Sequence, residues 1–195
     1  FQRNQRDSPL LRLPAELRNK IYRFVLGGNH IRPYCETVMG VWEVSFPGWA
    51  YSRLQLALLE VCRQVYAETK LLPFSLNRFV GYPEHMFELL ATSLTPTQAN
   101  ALKTVYFYVD QFGIYGLGDM PHCGLTRWFT VNLMELGKYE GLQKVGLVWY
   151  DSESEVLKKS LKQQAEKVLK NGRRTDIQVA VEYVRVGVNW PVVTR

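Results

Sequence analysis

The sequence is poor in the residues that build disulfides and metal sites. It has three cysteines and three histidines in 195 residues. Cys35, Cys62 and Cys123 are odd in number and lack Cys-x-x-Cys spacing, and no histidine has a His or Cys three or four positions away. We therefore expect no bound metal and no cofactor. Reduced thiols indicate an intracellular protein of the cytoplasm or nucleus.

Long apolar runs are also missing. The apolar stretches, such as 54–59, fall far short of the roughly 18 residues of a membrane span, so no membrane partner is expected. Residues 1–8 are polar and lack the apolar segment of a secretory signal. With 47% apolar and 22% charged residues, the composition is that of a globular protein. We expect a single domain over 1–195.

Side chains arranged for catalysis are scarce as well. His122 and Cys123 adjoin in a loop rich in Gly and Pro, but neighbours in sequence point apart and no third group orients them. The glycines of 113–118 have the wrong spacing for a dinucleotide fingerprint. We predict that the protein is not an enzyme.

Positive charge is concentrated in two segments. The net charge is +6, whereas residues 1–23 carry +4 and residues 158–174 carry +6, which leaves −4 elsewhere. The second segment could bind phosphates as a nucleic-acid-associated domain, or could be the solvated face of a helix. We favour the solvated face, with Val156, Leu161, Ala165 and Val168 on the buried side of the helix, and keep nucleic acid as the alternative partner. The candidate anion-binding residues are Lys158, Lys159, Lys162, Lys170, Arg173 and Arg174.

Apolar spacing predicts helices in the first part of the chain. Pro14 suits a first helical turn, and Leu17, Ile21 and Phe24 recur at helical spacing. A Trp-, Pro- and Gly-rich stretch over 29–51 predicts an inserted hairpin. The predicted helices of this part are 14–26 and 53–70, the second ended by Pro73.

Helices and strands alternate in the rest of the chain. The phrase Leu-Lys-Thr-Val at 102–105 returns as Leu-Gln-Lys-Val at 142–145, an offset of 40 residues. Such units predict parallel strands side by side with helices over one face. The predicted strands are 74–80, 105–109, 145–150 and 177–186, and the predicted helices are 83–93, 96–101 with a Thr95 cap, 126–136 and 152–170 with a Ser152 cap.

Two segments of residues 8–80 resemble a known family. LPAELRNKIY at 13–22 and VCRQVYAE at 61–68 resemble the two-EXR family of filamentous fungi and its F-box-like relatives. The resemblance implies helices that dock on the Skp1 adaptor of a ubiquitin ligase, with a substrate held by the part after residue 80. The implied docking residues are Leu13, Pro14, Glu16, Leu17, Ile21, Val61, Cys62 and Arg63.

The spacing of the two motifs departs from an F-box. Pro14 and Val61 are 47 positions apart, which indicates an insertion between the helices. Its aromatic residues are expected to cover the docking surface, so we expect no stable Skp1 complex. These residues are Trp42, Phe46, Trp49 and Tyr51.

For the same apolar residues we favour a second interpretation, an internal core in which Leu17, Ile21 and Cys62 are buried. Leu13, Leu17 and Ile21 would then pack against a later helix, on residues Leu58, Cys62 and Val65. We predict an α+β fold in which F-box-like helices with a hairpin insertion, 8–80, precede helix-strand units, 81–195. The favoured function is a non-enzymatic protein-protein interaction module with an unknown partner. A substrate adaptor of a ubiquitin ligase is a further alternative.

Overall fold

A computed structural model describes residues 7–32, 34–38, 41–45, 53–109, 127–149 and 155–183. It confirms the α+β character of the fold, with helices and a five-stranded sheet. The helices are α1 Ala15–Leu26, α2 Arg53–Glu60, α3 Arg63–Thr69, α4 Leu72–Leu76, α5 Pro83–Glu88, α6 Pro96–Ala101, α7 Arg127–Glu135 and α8 Glu155–Asn171. The strands are β1 His30–Ile31, β2 Tyr34–Val38, β3 Val41–Ser45, β4 Arg78–Gly81, β5 Thr104–Val109, β6 Lys144–Trp149 and β7 Gln178–Tyr183.

The helix expected over 53–70 is two helices. Its apolar spacing continues through residues 61 and 62, but Cys62 is extended, with φ −166° and ψ 164°. The carbonyl of Cys62 accepts a hydrogen bond from the Tyr66 amide at 2.9 Å, so α3 begins anew there. Pro73 lies in the first turn of α4, where its missing amide costs little. The strand expected from residue 74 therefore begins only at Arg78.

The inserted hairpin is present in the structure. Strands β2 and β3 pair in antiparallel register, with Cys35 opposite Val44. The remaining five strands form a separate sheet in the order β1-β4-β5-β6-β7, and every pair in it is parallel. Each new strand is thus added at the same edge.

The repeated phrase marks equivalent positions in neighbouring strands. Thr104 lies opposite Lys144, the offset of 40 residues seen in the sequence. The pairing extends before the strands, because the Gln143 amide donates to Lys103 and the Gln178 amide to Gln143, both at 2.9 Å. Consecutive helix-strand units are therefore stacked in register.

Alternation along the strands divides the sheet into two faces. The strand residues of the main core are all odd-numbered, such as Phe79, Phe107 and Leu147. Helix residues such as Met86 and Leu161 pack with them in the same core. Phe107 stacks on Phe87, at 5.0 Å between ring centroids. The second face carries even-numbered residues and has its own buried cluster, Val80, Tyr106, Tyr108 and Val148.

The helices that cover the core follow the prediction closely. Thr95 and Gln98 form the expected capping box, and residues 89–93 continue α5 as a π-helix. Leu161 and Ala165 on α8 are buried as expected. Val156 was expected to lie there too, but its exposed fraction is 82%, because a residue five positions before Leu161 lies about 140° away from it around the helix. Residues 150–154, with the Ser152 cap, lie outside the described residues.

A buried asparagine joins the first helices to the sheet. Asn77 donates to the carbonyl oxygens of Leu26 and Pro73, both at 2.7 Å. Its side-chain oxygen accepts from the Asn29 amide at 2.8 Å. Asn77 thereby satisfies the carbonyl of Leu26, the last residue of α1, which has no partner within the helix.

Candidate protein-docking site

Helix α1 presents an apolar stripe to solvent. Leu17, Ile21 and Phe24 have exposed fractions of 44%, 38% and 68%. They lie at positions i, i+4 and i+7 and therefore share one face of the helix. The expectation that Leu17 and Ile21 are core residues was wrong. We refer to Leu17, Ile21 and Phe24 as the α1 stripe.

The opposite face of α1 makes the internal contacts. Tyr22 is fully buried, and it forms a small cluster with Leu11 and Val65. The two motif segments therefore do pack on each other, as expected, but through Tyr22 rather than Ile21. Tyr22 can be fully buried because its hydroxyl has a hydrogen-bond partner in the interior.

That partner belongs to a polar network around Glu68. Arg18 donates to both carboxylate oxygens, at 3.0 and 2.8 Å, and the Tyr22 hydroxyl donates at 2.9 Å. Gln64 donates to the same carboxylate at 3.1 Å, and Arg18 also donates to the Leu13 carbonyl at 2.8 Å. The network joins α1 to α3 and fixes which face of α1 is turned inward.

The network shifts the ionisation of its members. The hydrogen bonds from Arg18 lower the pKa of Glu68, while the same contact raises the pKa of Arg18. Burial, aided by the carboxylate of Glu68, raises the pKa of Tyr22 to about 12. At neutral pH the three groups are thus a charged pair with a neutral tyrosine donor.

Sequence reasoning did not identify Arg18, Tyr22 or Glu68 as partners. Both motifs contain them, and Arg18 and Tyr22 have the i, i+4 spacing of helix neighbours. The available signal was the spacing of two pairs of residues. Arg18 and Tyr22 are four positions apart, and so are Gln64 and Glu68.

The predicted docking residues of the first motif occupy different environments. Pro14 and Glu16 are exposed at the start of α1, whereas Leu13 is partly buried. Pro14 occupies the position before the first helical residue, with φ −52° and ψ 148°. The structure thus places Pro14, Glu16, Leu17 and Ile21 on accessible surface.

The second motif straddles the break between α2 and α3. Val61 is 64% exposed, and Arg63 is exposed at the start of α3. Cys62 is partly buried and packs against the small cluster around Tyr22, as a free thiol. Val61 and Arg63 are therefore accessible, and Cys62 has an internal role.

The aromatic cover predicted for the docking surface falls on side chains that lie outside the described part of the chain. Trp42 belongs to β3, while Phe46, Trp49 and Tyr51 lie outside the described residues. The exposed fractions of the α1 stripe show that the described part of the chain leaves it open to solvent. The expectation of no stable Skp1 complex, which depended on that cover, stays a prediction.

The candidate anion-binding residues lie on or after α8. Lys158 and Lys162 pair with Glu155 and Glu166 on the same helix, at 3.2 and 3.8 Å. These pairs are exposed and contribute little to stability. Lys159, Lys170 and Arg173 are exposed as well, which agrees with the solvated face favoured from the sequence.

Arg174 differs from the other five basic residues. Its guanidinium pairs with Asp176 at 2.7 Å and donates to the carbonyls of Tyr139 and Leu142, both at 2.8 Å. These bonds tie the end of one helix-strand unit to the preceding unit. Arg174 thus has a structural role, which removes it from the candidate anion-binding set.

The described ranges contain neither a metal-binding cluster nor a membrane-spanning helix. No group of three His, Cys, Asp or Glu side chains there could hold a metal ion. No described helix has the length and apolar character of a membrane span. His122, Cys123 and the 113–118 loop lie outside these ranges. No family model, curated protein or solved structure matches the chain.

Proposed function

We propose that this protein is a non-enzymatic interaction module that binds another protein through the α1 stripe. The observation that carries the proposal is the exposure of Leu17, Ile21 and Phe24 on one face of a helix whose other face is anchored. A stripe of large apolar side chains in solvent is typical of an interaction surface. An amphipathic helix of this kind fits an apolar groove of a partner.

The charges around the stripe define the chemistry of the partner. Lys20 and Arg23 on α1 are exposed beside the stripe, Arg12 is exposed just before the first motif, and Arg63 is exposed in the second motif. Glu16 is an acidic residue of α1, so the balance at this surface is positive. We infer a partner groove that is apolar at its centre and acidic at its rim, since such charges speed association and select the partner.

The anchoring of α1 supports binding without rearrangement. Arg18 and Tyr22 hold the helix to Glu68, and Asn77 holds its carboxyl end. A helix that is already ordered loses less conformational entropy when it binds. The resemblance to F-box helices makes Skp1 the first named partner to test.

The test is co-purification with purified Skp1, and with any protein captured from a fungal lysate and then purified. The variant Leu17→Ser/Ile21→Ser/Phe24→Ser should lose the complex on size-exclusion chromatography. The matched control removes three other exposed apolar side chains, Val131→Ser/Met134→Ser/Val156→Ser, and should keep it.

Two results would contradict the proposal. One is a complex that survives the α1 variant but not the control. The other is binding of the wild-type chain to anionic lipid vesicles that is lost in the α1 variant, because it would assign the stripe to a membrane surface. Loss of binding at high salt would support the acidic rim.

A further inference from the structure

A row of basic and polar residues crosses the second face of the sheet at its amino end. His30 lies opposite Arg78 in the pairing of β1 with β4, and Thr104 lies opposite Lys144. Arg78 precedes Phe79, whose partner is Val105, so Arg78 is next to Thr104. Two cations thus flank β5 from the two neighbouring strands.

Tyr106 lies between these cations with its ring flat on the sheet. A Cβ at Gly146 would come within 2.1 Å of two ring atoms of Tyr106, so only glycine leaves room for the ring. The Tyr106 hydroxyl donates to Glu182 at 2.7 Å. Arg78 and Lys144 each stand 5.6 Å from the ring centroid, a distance at which cations are attracted to aromatic rings.

Positive charge exceeds negative charge in this cluster. Glu182 is the only described acid near it, 4.0 Å from Lys144 and already bonded to Tyr106. Arg78 is exposed, and no acid of the described residues forms an ion pair with it. Burial, then Arg78 and then Arg32, lowers the pKa of His30, as expected beside excess positive charge.

We propose that Arg78 and Lys144, held over Tyr106 and beside Glu182, bind one anionic side chain of a partner polypeptide, a carboxylate or a phosphorylated residue. The planar guanidinium of Arg78 can donate two parallel hydrogen bonds to such a group. Glu182 can accept a hydrogen bond from a neighbouring group of the partner, such as a peptide N–H. This site is separate from the α1 stripe and does not depend on it.

The cluster suits a polypeptide better than a nucleic acid. Tyr106 is fully buried, so its ring cannot stack on a base, which is the usual role of an aromatic residue in single-strand binding. Glu182 would repel a continuous row of phosphates, which such proteins bind with a basic groove. A single anionic side chain avoids that repulsion.

The experiment measures binding of three fluorescent peptides of one length, with glutamate, phosphoserine or glutamine at the centre. The first or second should bind more tightly than the third, and which of them does so identifies the anion. Arg78→Met/Lys144→Met should weaken that binding about tenfold or more, since each lost charged hydrogen bond has an effect of that size. The control Lys70→Met/Lys167→Met removes two exposed lysines that lie outside both candidate anion-binding sets, and it should bind as the wild type does.

A third variant guards against a folding defect. Arg78→Lys keeps the charge and loses the paired hydrogen bonds, so it should bind with intermediate affinity and an unchanged circular dichroism spectrum. The proposal is overturned if no peptide binds at millimolar concentration, or if the double variant binds as the wild type does. It is also overturned if free inorganic phosphate or single-stranded DNA binds there more tightly than the peptides.

Discussion

The first helices and the sheet are stabilised in different ways. A small buried cluster of Leu11, Tyr22 and Val65 lies between the first helices, and the network around Glu68 joins α1 to α3. The sheet and its helices share one continuous apolar core, which includes the rings of Phe107 and Phe129. Where little apolar surface is buried, polar bonds fix the geometry, and large apolar side chains remain exposed.

This difference predicts different responses to substitution and to pH. The core of the sheet should respond to lost volume, because cavities in a close-packed interior are costly. The first helices should respond to loss of charge. They should also open locally before the sheet unfolds, since local stability follows the density of buried contacts.

The largest effect is expected from Phe107→Ala in the main core. Phe107 is fully buried between Phe87 and Phe129, at 5.0 and 5.4 Å between centroids. We expect the free energy of unfolding to fall by about 3–5 kcal/mol, measured by urea denaturation. Val131→Ala, at an exposed site of α7, is the control and should change it by less than about 0.5 kcal/mol. Equal losses in both would refute the packing difference.

The next largest loss of stability is expected from Gly141→Ala, because the substitution disturbs the packing between helix-strand units and does not create a cavity. An added Cβ would lie 1.7 Å from the carbonyl oxygen of Asn100 in the preceding unit, and a backbone atom cannot rotate away. We expect a loss of about 1–3 kcal/mol, read as a lower midpoint of thermal unfolding. Gly28→Asn is the control, since nothing lies within 4 Å of a Cβ there and Asn tolerates the φ of 79°.

Glu68→Gln tests the first helices through their charge. We expect a loss of about 1–3 kcal/mol at neutral pH, the range for hydrogen bonds to charged groups. Because the pKa of Glu68 is lowered in the folded protein, its contribution is present above the ordinary carboxyl pKa. It is lost as pH falls through the lowered value. The melting temperatures of wild type and variant should therefore converge below about pH 4, and a constant difference from pH 7 to 3 would contradict the network.

The smallest effect on stability is expected from Leu17→Ser/Phe24→Ser. Both side chains are exposed, so the free energy of unfolding should change by less than about 1 kcal/mol. Tyr22→Ser, on the buried face of the same helix, should cost several times more. A large loss from the exposed pair, measured by chemical denaturation, would show that the stripe packs inside the chain.

Periodicity predicted most helices and strands, but not which face of α1 is buried. The spacing of Leu17, Ile21 and Phe24 is correct for a helix and says nothing about what lies opposite. The choice of face depends on a carboxylate 50 residues after Arg18, a contact that no local pattern contains. The break at Cys62 escaped prediction for a similar reason, because apolar residues continue through it.

The two sites were predictable to different degrees. The candidate docking residues followed from the motifs, which place Leu17 and Ile21 on one helix. The cluster around Tyr106 depends on the register of three strands, since Arg78, Tyr106 and Lys144 lie on β4, β5 and β6 in turn. A parallel register across connections of more than 20 residues is set by packing of the whole unit rather than by residues within one strand.

The sequential order of the parallel strands has a consequence for evolution. A sheet that grows at one edge has no closing step, so another unit beyond β7 would leave the earlier pairings unchanged. Duplication or loss of a unit would then alter the length of the sheet rather than its topology, as in repeat proteins. Related chains can therefore be expected to differ by whole helix-strand units of about the size that separates Thr104 from Lys144, while Asn77 and the first helices stay the same.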